Sequence, residues 1–143
     1  MAQNNQASET VNVLRAIDGY TEAFQQSDMA TLIRHISVPV MQIVGQEVSI
    51  LNTVEEVQAR YTALAGHLNA QGYSHSTWME RQVKLLGPAT AMVSGAAIRY
   101  RTDGSELERI GATYLLRLTE TGWKIVVATA HPPDAIIRPA PSP

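Results

Sequence analysis

Two histidines on predicted strands are the residues of this chain best placed for acid–base chemistry. Side chains alternate between the two faces of a strand. His131 then shares a face with Ile125, Val127 and Thr129. His75 shares one with Thr77, Met79, Val83 and Leu85, provided that no bulge intervenes. An imidazole on such a face acts as a base or a donor near neutral pH. The alternative for His131 is a strand-end histidine bonded to water or backbone.

Three tyrosines supply phenol hydroxyls on surfaces that the pattern predicts to be buried. Tyr20 belongs to the apolar stripe of the first predicted helix, Tyr61 to that of the third, and Tyr114 to a strand face with Ala112 and Leu116. For Tyr20 and Tyr61 the alternative is a core residue with a satisfied hydroxyl. His35 and His67 lie near helix ends and are predicted to be exposed.

Arginines in the predicted sheet are the remaining candidates. Arg81 is in phase with Met79 and Val83, so it becomes an inward charge that needs a partner. The partner expected for it is Glu47, Glu80 or an anionic ligand. Either Arg99 or Tyr100 must point inward near the Asp103-Gly104 turn.

Several kinds of chemistry are excluded by what the sequence lacks. Without cysteine there are no disulfides, thiolate nucleophiles or zinc–thiolate sites. No His-x-x-x-His or His-x-Glu cluster supports a metal site, and neither a glycine-rich phosphate loop nor a Gly-x-Ser-x-Gly elbow occurs. We expect no metal and no cofactor.

Length and charge indicate one ordinary domain. The chain has 143 residues and a net charge of −2, with no run of either sign that would mark a nucleic-acid footprint. No apolar run approaches the roughly 20 residues of a membrane span, and no signal peptide is visible. A cytoplasmic protein without nucleic-acid or membrane partners is the expectation.

The elements that must position these residues begin with three helices. The first, capped by Ser8 or Thr10, runs through Phe24 and ends at 26–28, where Ser27 or Asp28 caps a second. Pro39 then begins a strand over 40–44 and suits a sheet edge. Thr53 and Glu56 form a capping box for the third helix, which Gly72 can close. Its predicted buried face carries Val54, Val57, Tyr61, Leu64 and Leu68.

Four long strands follow, separated by three tight turns, and predict an antiparallel meander. They cover 74–86, 89–101, 107–119 and 123–131. The predicted organisation is a flexible N-terminus (1–8), one domain (9–131) and a proline-rich tail (132–143) that is extended or disordered. This order of elements predicts an α+β fold with helices on one face of a curved sheet.

The chain resembles the nuclear transport factor 2-like superfamily, in particular its SnoaL-like and ketosteroid-isomerase-like members. The resemblance lies in the helix break at 20–28, segments 29–36, 40–44 and 53–64, the hairpin 96–104 and the terminal Gly122–Val126. It implies a cone-shaped (cystatin-like) fold: three N-terminal helices on a strongly curved, mainly antiparallel sheet of about six strands. It also implies a pocket inside the cone, and dimers that pair the outer sheet faces.

Alternation then assigns the two faces of the last strands. The face expected to look into the cone carries Ile110, Ala112, Tyr114, Leu116, Leu118, Trp123, Ile125, Val127, Thr129 and His131. The opposite face carries Thr113, Leu115, Val126, Ala128 and Ala130. Because this outer face is poor in charge, we expect a homodimer to form through it. The alternative is that bulges shift the register and these residues are core.

The resemblance places Tyr20 where ketosteroid-isomerase-like proteins hold an oxyanion-stabilising tyrosine. The partner carboxylates of that pattern are missing: Gln42 or Ile43, and Thr113 or Tyr114, stand in their places. The catalytic residues stay unassigned, with His131, Tyr20 and His75 as candidates. The expected ligand-binding residues are Tyr20, Tyr61, His75, Tyr114 and His131.

Three functions are compatible with this pattern. The first is a SnoaL-like protein that binds a small apolar or carbonyl-containing molecule in an apolar pocket. The second is an isomerase, dehydratase or cyclase that acts on a carbonyl compound by His/Tyr chemistry, with an inward His131 near Tyr20 or His75. The third is a non-catalytic protein-interaction module with a filled cone. The lack of an inward carboxylate favours the first over the second.

Overall fold

A computed structural model of the chain describes residues 2–139. Its helices are α1 (Ala2–Gln25), α2 (Met29–Leu32) and α3 (Val54–Ala70), with a 3-10 turn at Ile33–His35. The strands are β1 (Ile36–Val44), β2 (Glu47–Leu51), β3 (Tyr73–Leu85), β4 (Thr90–Arg101), β5 (Glu106–Thr119) and β6 (Gly122–His131). The helices therefore precede a four-strand meander, which confirms the predicted α+β class.

The break after the first helix forms as the sequence predicts. Ser27 adopts φ 55°, outside the helical region, and the Asp28 carboxylate then accepts a 3.2 Å hydrogen bond from the Thr31 amide to cap α2. The start of α1 differs from the expectation. The helix begins at Ala2, so Ser8 and Thr10 lie within it rather than cap it.

The capping box at the third helix is present with a small change. Thr53 Oγ1 accepts a 3.1 Å hydrogen bond from the Glu56 amide, while the Glu56 carboxylate reaches back to the Asn52 amide at 2.6 Å. The helix is followed by Gly72 at φ 88°. On its predicted face Val57, Tyr61 and Leu68 are buried, but Val54 and Leu64 are exposed.

The six strands form one sheet in the order β2-β1-β6-β5-β4-β3. The expectation of an edge strand after Pro39 is wrong, because β1 lies between β2 and β6 and pairs in parallel with β6. Proline is tolerated at this inner position because neither ladder needs the N–H that it lacks. The β2 ladder starts only at Val40, and the β6 ladder is interrupted by the register shift between Ile36 and Met41.

Two bulges decide which side chains look into the cone. In β3 the register against β4 shifts between Trp78 and Glu80, which leaves Met79 as the extra residue. In β6 the register against β5 shifts between Leu115 and Leu116, which leaves Val126 as the extra residue. Each bulge reverses the alternation of the strand beyond it, because the side-chain period is two.

The hydrophobic core lies between the helices and the concave sheet face. Its fully buried members include Val13, Ile17, Leu32, Val40, Val57, Val93, Leu116 and Ile125. The described part of the tail packs on the convex face: Ile136 is 8% exposed, and the Ile137 amide donates a 2.9 Å hydrogen bond to Ser94 Oγ. Residues 132–139 contain a turn at 133–134 and contact the sheet through Ile136 and Ile137.

Candidate functional site

Two small cavities lie inside the open end of the cone. One, about 120 Å³, reaches Gln42, Ala112, Ala128 and Ala130, and we call it the Gln42 cavity. The other, about 60 Å³, reaches Phe24, Ser76, Trp78 and Ala97, and we call it the Trp78 cavity. They share five lining residues: Tyr20, Leu64, Arg99, Ile110 and Tyr114. Leu64 is exposed because it stands at this opening rather than in the core.

Three tyrosines from three different elements meet at the cavities. The Tyr20 hydroxyl of α1 donates a 2.8 Å hydrogen bond to the Tyr61 hydroxyl of α3. The Tyr20 ring meets Tyr61 and Tyr114 edge-on, with centroids 5.8 Å and 5.7 Å away. These three predicted ligand-binding residues are thus brought together, and we call them the tyrosine cluster.

The tyrosine cluster is uncharged near neutral pH. Burial raises the pKa of Tyr20 well above its ordinary value, and the neighbouring Tyr61 and Tyr114 raise it further. Burial also raises the pKa of Tyr114 and of Tyr61; hydrogen bonds with Tyr20 and Gln42 act in the opposite direction on Tyr61. Phenols that keep their protons are hydrogen-bond donors and not bases.

Arg99 brings a positive charge to both cavities. It shares the inner face of β4 with Ala97, so Arg99, and not Tyr100, is the residue that points inward. Its Nη1 forms a 2.6 Å ion pair with the Glu108 carboxylate on β5, and its side chain is 16% exposed. Because one nitrogen meets Glu108, the other guanidinium N–H groups stay available to a ligand at the opening.

His131 does not look into the cone, and the prediction that it lines the pocket is wrong. The Val126 bulge turns Ala128 and Ala130 inward, with both lining the Gln42 cavity, and turns Val127 and His131 outward. The His131 ring lies over Gly111, where a Cβ atom would overlap it. Position 131 therefore faces the convex side of the sheet.

On that side His131 belongs to a chain of hydrogen bonds. Its Nδ1 is 2.9 Å from the Pro132 carbonyl oxygen and must donate to it, and its Nε2 is 2.8 Å from Thr113 Oγ1. Ser94, 1% exposed, lies 2.8 Å from Thr113 Oγ1 and receives the Ile137 amide. Every polar group in this chain has a partner, which is the pattern of a structural network. The tail covers Ser94, and a homodimer through the rest of this face stays a prediction.

His75 is also outside the pocket. The Met79 bulge lies between position 75 and the rest of β3, so the His75 side chain points opposite to the direction that strict alternation predicts. His75 pairs with Tyr100, and their rings stack at 5.1 Å on the convex face. The inward residues of this stretch are Ser76 and Trp78. The expected His75–His131 couple therefore does not form inside the cone.

Arg81 points inward, as the sequence predicts, but its partner is none of the expected ones. It forms a 2.6 Å ion pair with Asp18 of α1 and lies over the Trp78 ring at 5.5 Å. The Trp78 Nε1 is buried without a hydrogen-bond partner within residues 2–139. Gln42, one of the residues named in place of a missing carboxylate, lines the Gln42 cavity. Trp78 is a lining residue that the sequence did not single out, because only the bulged register places it there.

Across 2–139, no group of three or more His, Asp or Glu side chains is placed to hold a metal ion. None of the described helices combines the length and the hydropathy that a membrane crossing needs.

Helices packed in the concave face of a strongly bent sheet, with a pocket at the open end, define the cystatin-like cone. A family model described as NTF2-like protein (DUF6841) matches residues 8–133, so the chain belongs to this NTF2-like family. No curated protein matches it.

Solved structures support the same fold. An NTF2-like protein with a cystatin-like fold from Novosphingobium aromaticivorans has a TM-score of 0.76 at 17% identity, covering 94% of this chain and 88% of that one. A ketosteroid isomerase-like protein from Erwinia carotovora atroseptica has a TM-score of 0.66 at 17% identity, with coverages of 92% and 98%. An NTF2-like protein of unknown function from Shewanella oneidensis reaches 0.69 at 19%, with 85% and 97%. At these identities the similarity concerns the fold alone.

Proposed function

We propose that this NTF2-like protein binds a small organic molecule inside the cone through a carbonyl or carboxylate oxygen of that molecule. The single observation that carries the proposal is the meeting of neutral tyrosine hydroxyls with the Arg99 guanidinium at the shared wall of the two cavities. Such donors match an acceptor oxygen, and most of the other lining residues are apolar.

The size of the cavities restricts the ligand. A buried water needs roughly 10–15 Å³ of such space, so cavities of about 60 and 120 Å³ hold several waters or one small ring. Pockets for drug-sized ligands measure roughly 300–1,000 Å³. A single-ring ketone or acid therefore fits the interior better than a steroid-sized compound.

Binding, rather than proton transfer, is the function that the wall of the cavities supports. A general base must reach the proton that it removes. Among the described residues, both candidate histidines lie on the convex face, and Glu108, next to the opening, is paired with Arg99. The tyrosine cluster is protonated near neutral pH and can orient an oxygen without removing a proton.

Isothermal titration calorimetry with three probes of one ring size tests the proposal: acetophenone, benzoate and toluene. We expect acetophenone and benzoate to bind more tightly than toluene, because only they offer an acceptor oxygen. Tyr114→Phe should weaken acetophenone binding by about tenfold, the usual worth of one hydrogen bond to a buried donor, whereas the Tyr20 proton is already donated to Tyr61.

His75→Ala is the matched control, since His75 lies on the opposite face of the sheet. It should bind all three probes like the wild type. Equal affinities for the three probes in the wild type, or equal losses in the Tyr114 and His75 variants, would contradict the proposal.

A further inference from the structure

A second, larger depression lies at the other end of the strands from the tyrosine cluster. It measures about 730 Å³ and is bounded by α1, by the segment from α2 to the 3-10 turn, and by the β5–β6 hairpin. We call it the basal groove. Six residues of β5 separate Ala112 in the cone from Leu118 in the groove, which is about 20 Å along a strand. The two sites are therefore distinct.

Cations from all three boundaries converge on the basal groove. Arg15 comes from α1, Arg34 from the 3-10 turn and Lys124 from β6. Within residues 2–139 none of the three forms an ion pair, whereas Arg81, Arg99, Arg109 and Arg138 each meet a carboxylate. Like charges gathered in one depression raise its potential and attract anions.

The one carboxylate that lines the groove is already engaged. Glu9 accepts a 2.7 Å hydrogen bond from the Trp123 indole Nε1 and another, of 3.1 Å, from the Asn12 amide. Glu9 therefore holds the Trp123 ring in the groove wall, and the sum of the four permanent charges stays positive. Hydroxyls of Thr31 and Thr121 add neutral polar groups to the same wall.

His35 is fitted into this groove by a glycine. A Cβ atom on Gly19, in the middle of α1, would stand 2.7 Å from both Cε1 and Nε2 of the His35 ring. Glycine in a helix interior costs about 1 kcal/mol of stability relative to alanine. At position 19 this cost accompanies the space that the imidazole of His35 occupies. Burial, and then the charge of Lys124, lower the pKa of His35.

We propose that the basal groove binds a small phosphorylated compound with at least two anionic groups, held by Arg15, Arg34 and Lys124. The guanidinium group of arginine, which can donate two parallel hydrogen bonds, and the ammonium group of lysine are the groups that recognise phosphate oxygens. Because the cations stand on three sides of a groove of this size, they suit a ligand with separated negative charges better than a single small anion. This inference concerns a site apart from the cone and is independent of the ligand bound there.

The test uses pyrophosphate and the full-length protein, with the Trp123 indole N–H resonance as the reporter. We expect pyrophosphate to shift this resonance in a saturable manner and to leave the Trp78 indole resonance in place. Arg34→Ala and Lys124→Ala should each weaken binding by about tenfold, the usual worth of a charge-assisted hydrogen bond. Both residues are at the surface of the groove, and circular dichroism checks that each variant is folded.

Lys84→Ala removes an exposed cation of β3 outside the groove and should bind pyrophosphate like the wild type. Citrate provides the second arm, because it carries several carboxylates and no phosphate. Weaker binding of citrate supports the phosphate class, and tighter binding overturns it. The absence of a shift at millimolar pyrophosphate, a shift confined to Trp78, or equal losses in the Lys84 and Arg34 variants would each overturn the site.

Discussion

The Tyr20 hydroxyl donates to the Tyr61 hydroxyl across 2.8 Å, although 41 residues separate the two in the chain. This bond joins α1 to α3 at the wall of the cavities, and Tyr114 closes the cluster from the sheet. The polar interior of the cone is thus built from phenols that contact one another, with the Arg99 guanidinium on the same wall.

Arg99→Met should lower the affinity of the cone for charged ligands more than its affinity for neutral ones. The substitution removes the positive charge but keeps a flexible apolar side chain of similar length. We expect benzoate to lose about tenfold in affinity and acetophenone to lose much less, because only benzoate forms a charge-assisted hydrogen bond. Calorimetry measures both. Equal losses for the two probes would mean that Arg99 only shapes the opening.

The tyrosine cluster should make folding stability sensitive to alkaline pH. Its folded-state pKa values are raised, so the unfolded chain releases these protons first. Their contribution is fully present below about pH 10, the pKa of an unfolded tyrosine, and is lost as the pH rises above that value. Urea unfolding across this range measures the effect, and Tyr61→Phe should flatten the profile. A wild-type stability that is constant through this range would contradict the assignment.

Gly19 and Gly66 form a matched pair for the packing of His35. Both lie inside helices, but a Cβ atom on Gly66 meets nothing within 4 Å, whereas one on Gly19 meets the His35 ring. Gly66→Ala should stabilise the protein by about 1 kcal/mol through helix propensity, and Gly19→Ala should gain less or destabilise it. Thermal unfolding measures both changes.

A double-mutant cycle identifies the cause of this difference. In a His35→Ala background the clash is absent, so Gly19→Ala should stabilise about as much as Gly66→Ala does. A Gly19→Ala effect that is the same with and without the His35 ring would show that the ring moves aside at no cost.

Thr113→Val should destabilise the convex face. The change keeps the shape of the side chain but removes the hydroxyl between Ser94 and His131, and each unpaired buried group costs about 1–3 kcal/mol. Thr77→Val, at an exposed position of β3, is the control and should change the free energy of unfolding by less than about 0.5 kcal/mol. Similar losses for both variants would argue against the network.

Much of the fold follows from local signals in the sequence. Asp28 and Thr53 are capping residues whose role depends on a few neighbours, and the Gly104 and Gly122 turns occupy positive φ as hairpin turns require. The same is true of Tyr20, Tyr61 and Tyr114, whose faces are given by helical or strand periodicity. These residues lie where the pattern predicts.

The positions of the two strand histidines cannot be predicted from the sequence, because a bulge has no comparable local signal. One extra residue, Met79 or Val126, reverses the alternation between the two parts of its strand, so His75 before Met79 and His131 after Val126 both lie on the convex face. The parallel pairing of β1 with β6 and the packing of the tail on Ser94 depend on contacts across the whole chain. Pattern reading along one segment cannot supply such contacts.

A crystal structure of the protein grown with acetophenone tests the central claim most directly. We expect the ketone inside the cone, with its oxygen within hydrogen-bond distance of the Tyr61 or Tyr114 hydroxyl and its ring against the apolar wall near Ala112. An empty cone at saturating acetophenone, or a ketone bound on the convex face beside His131, would contradict it.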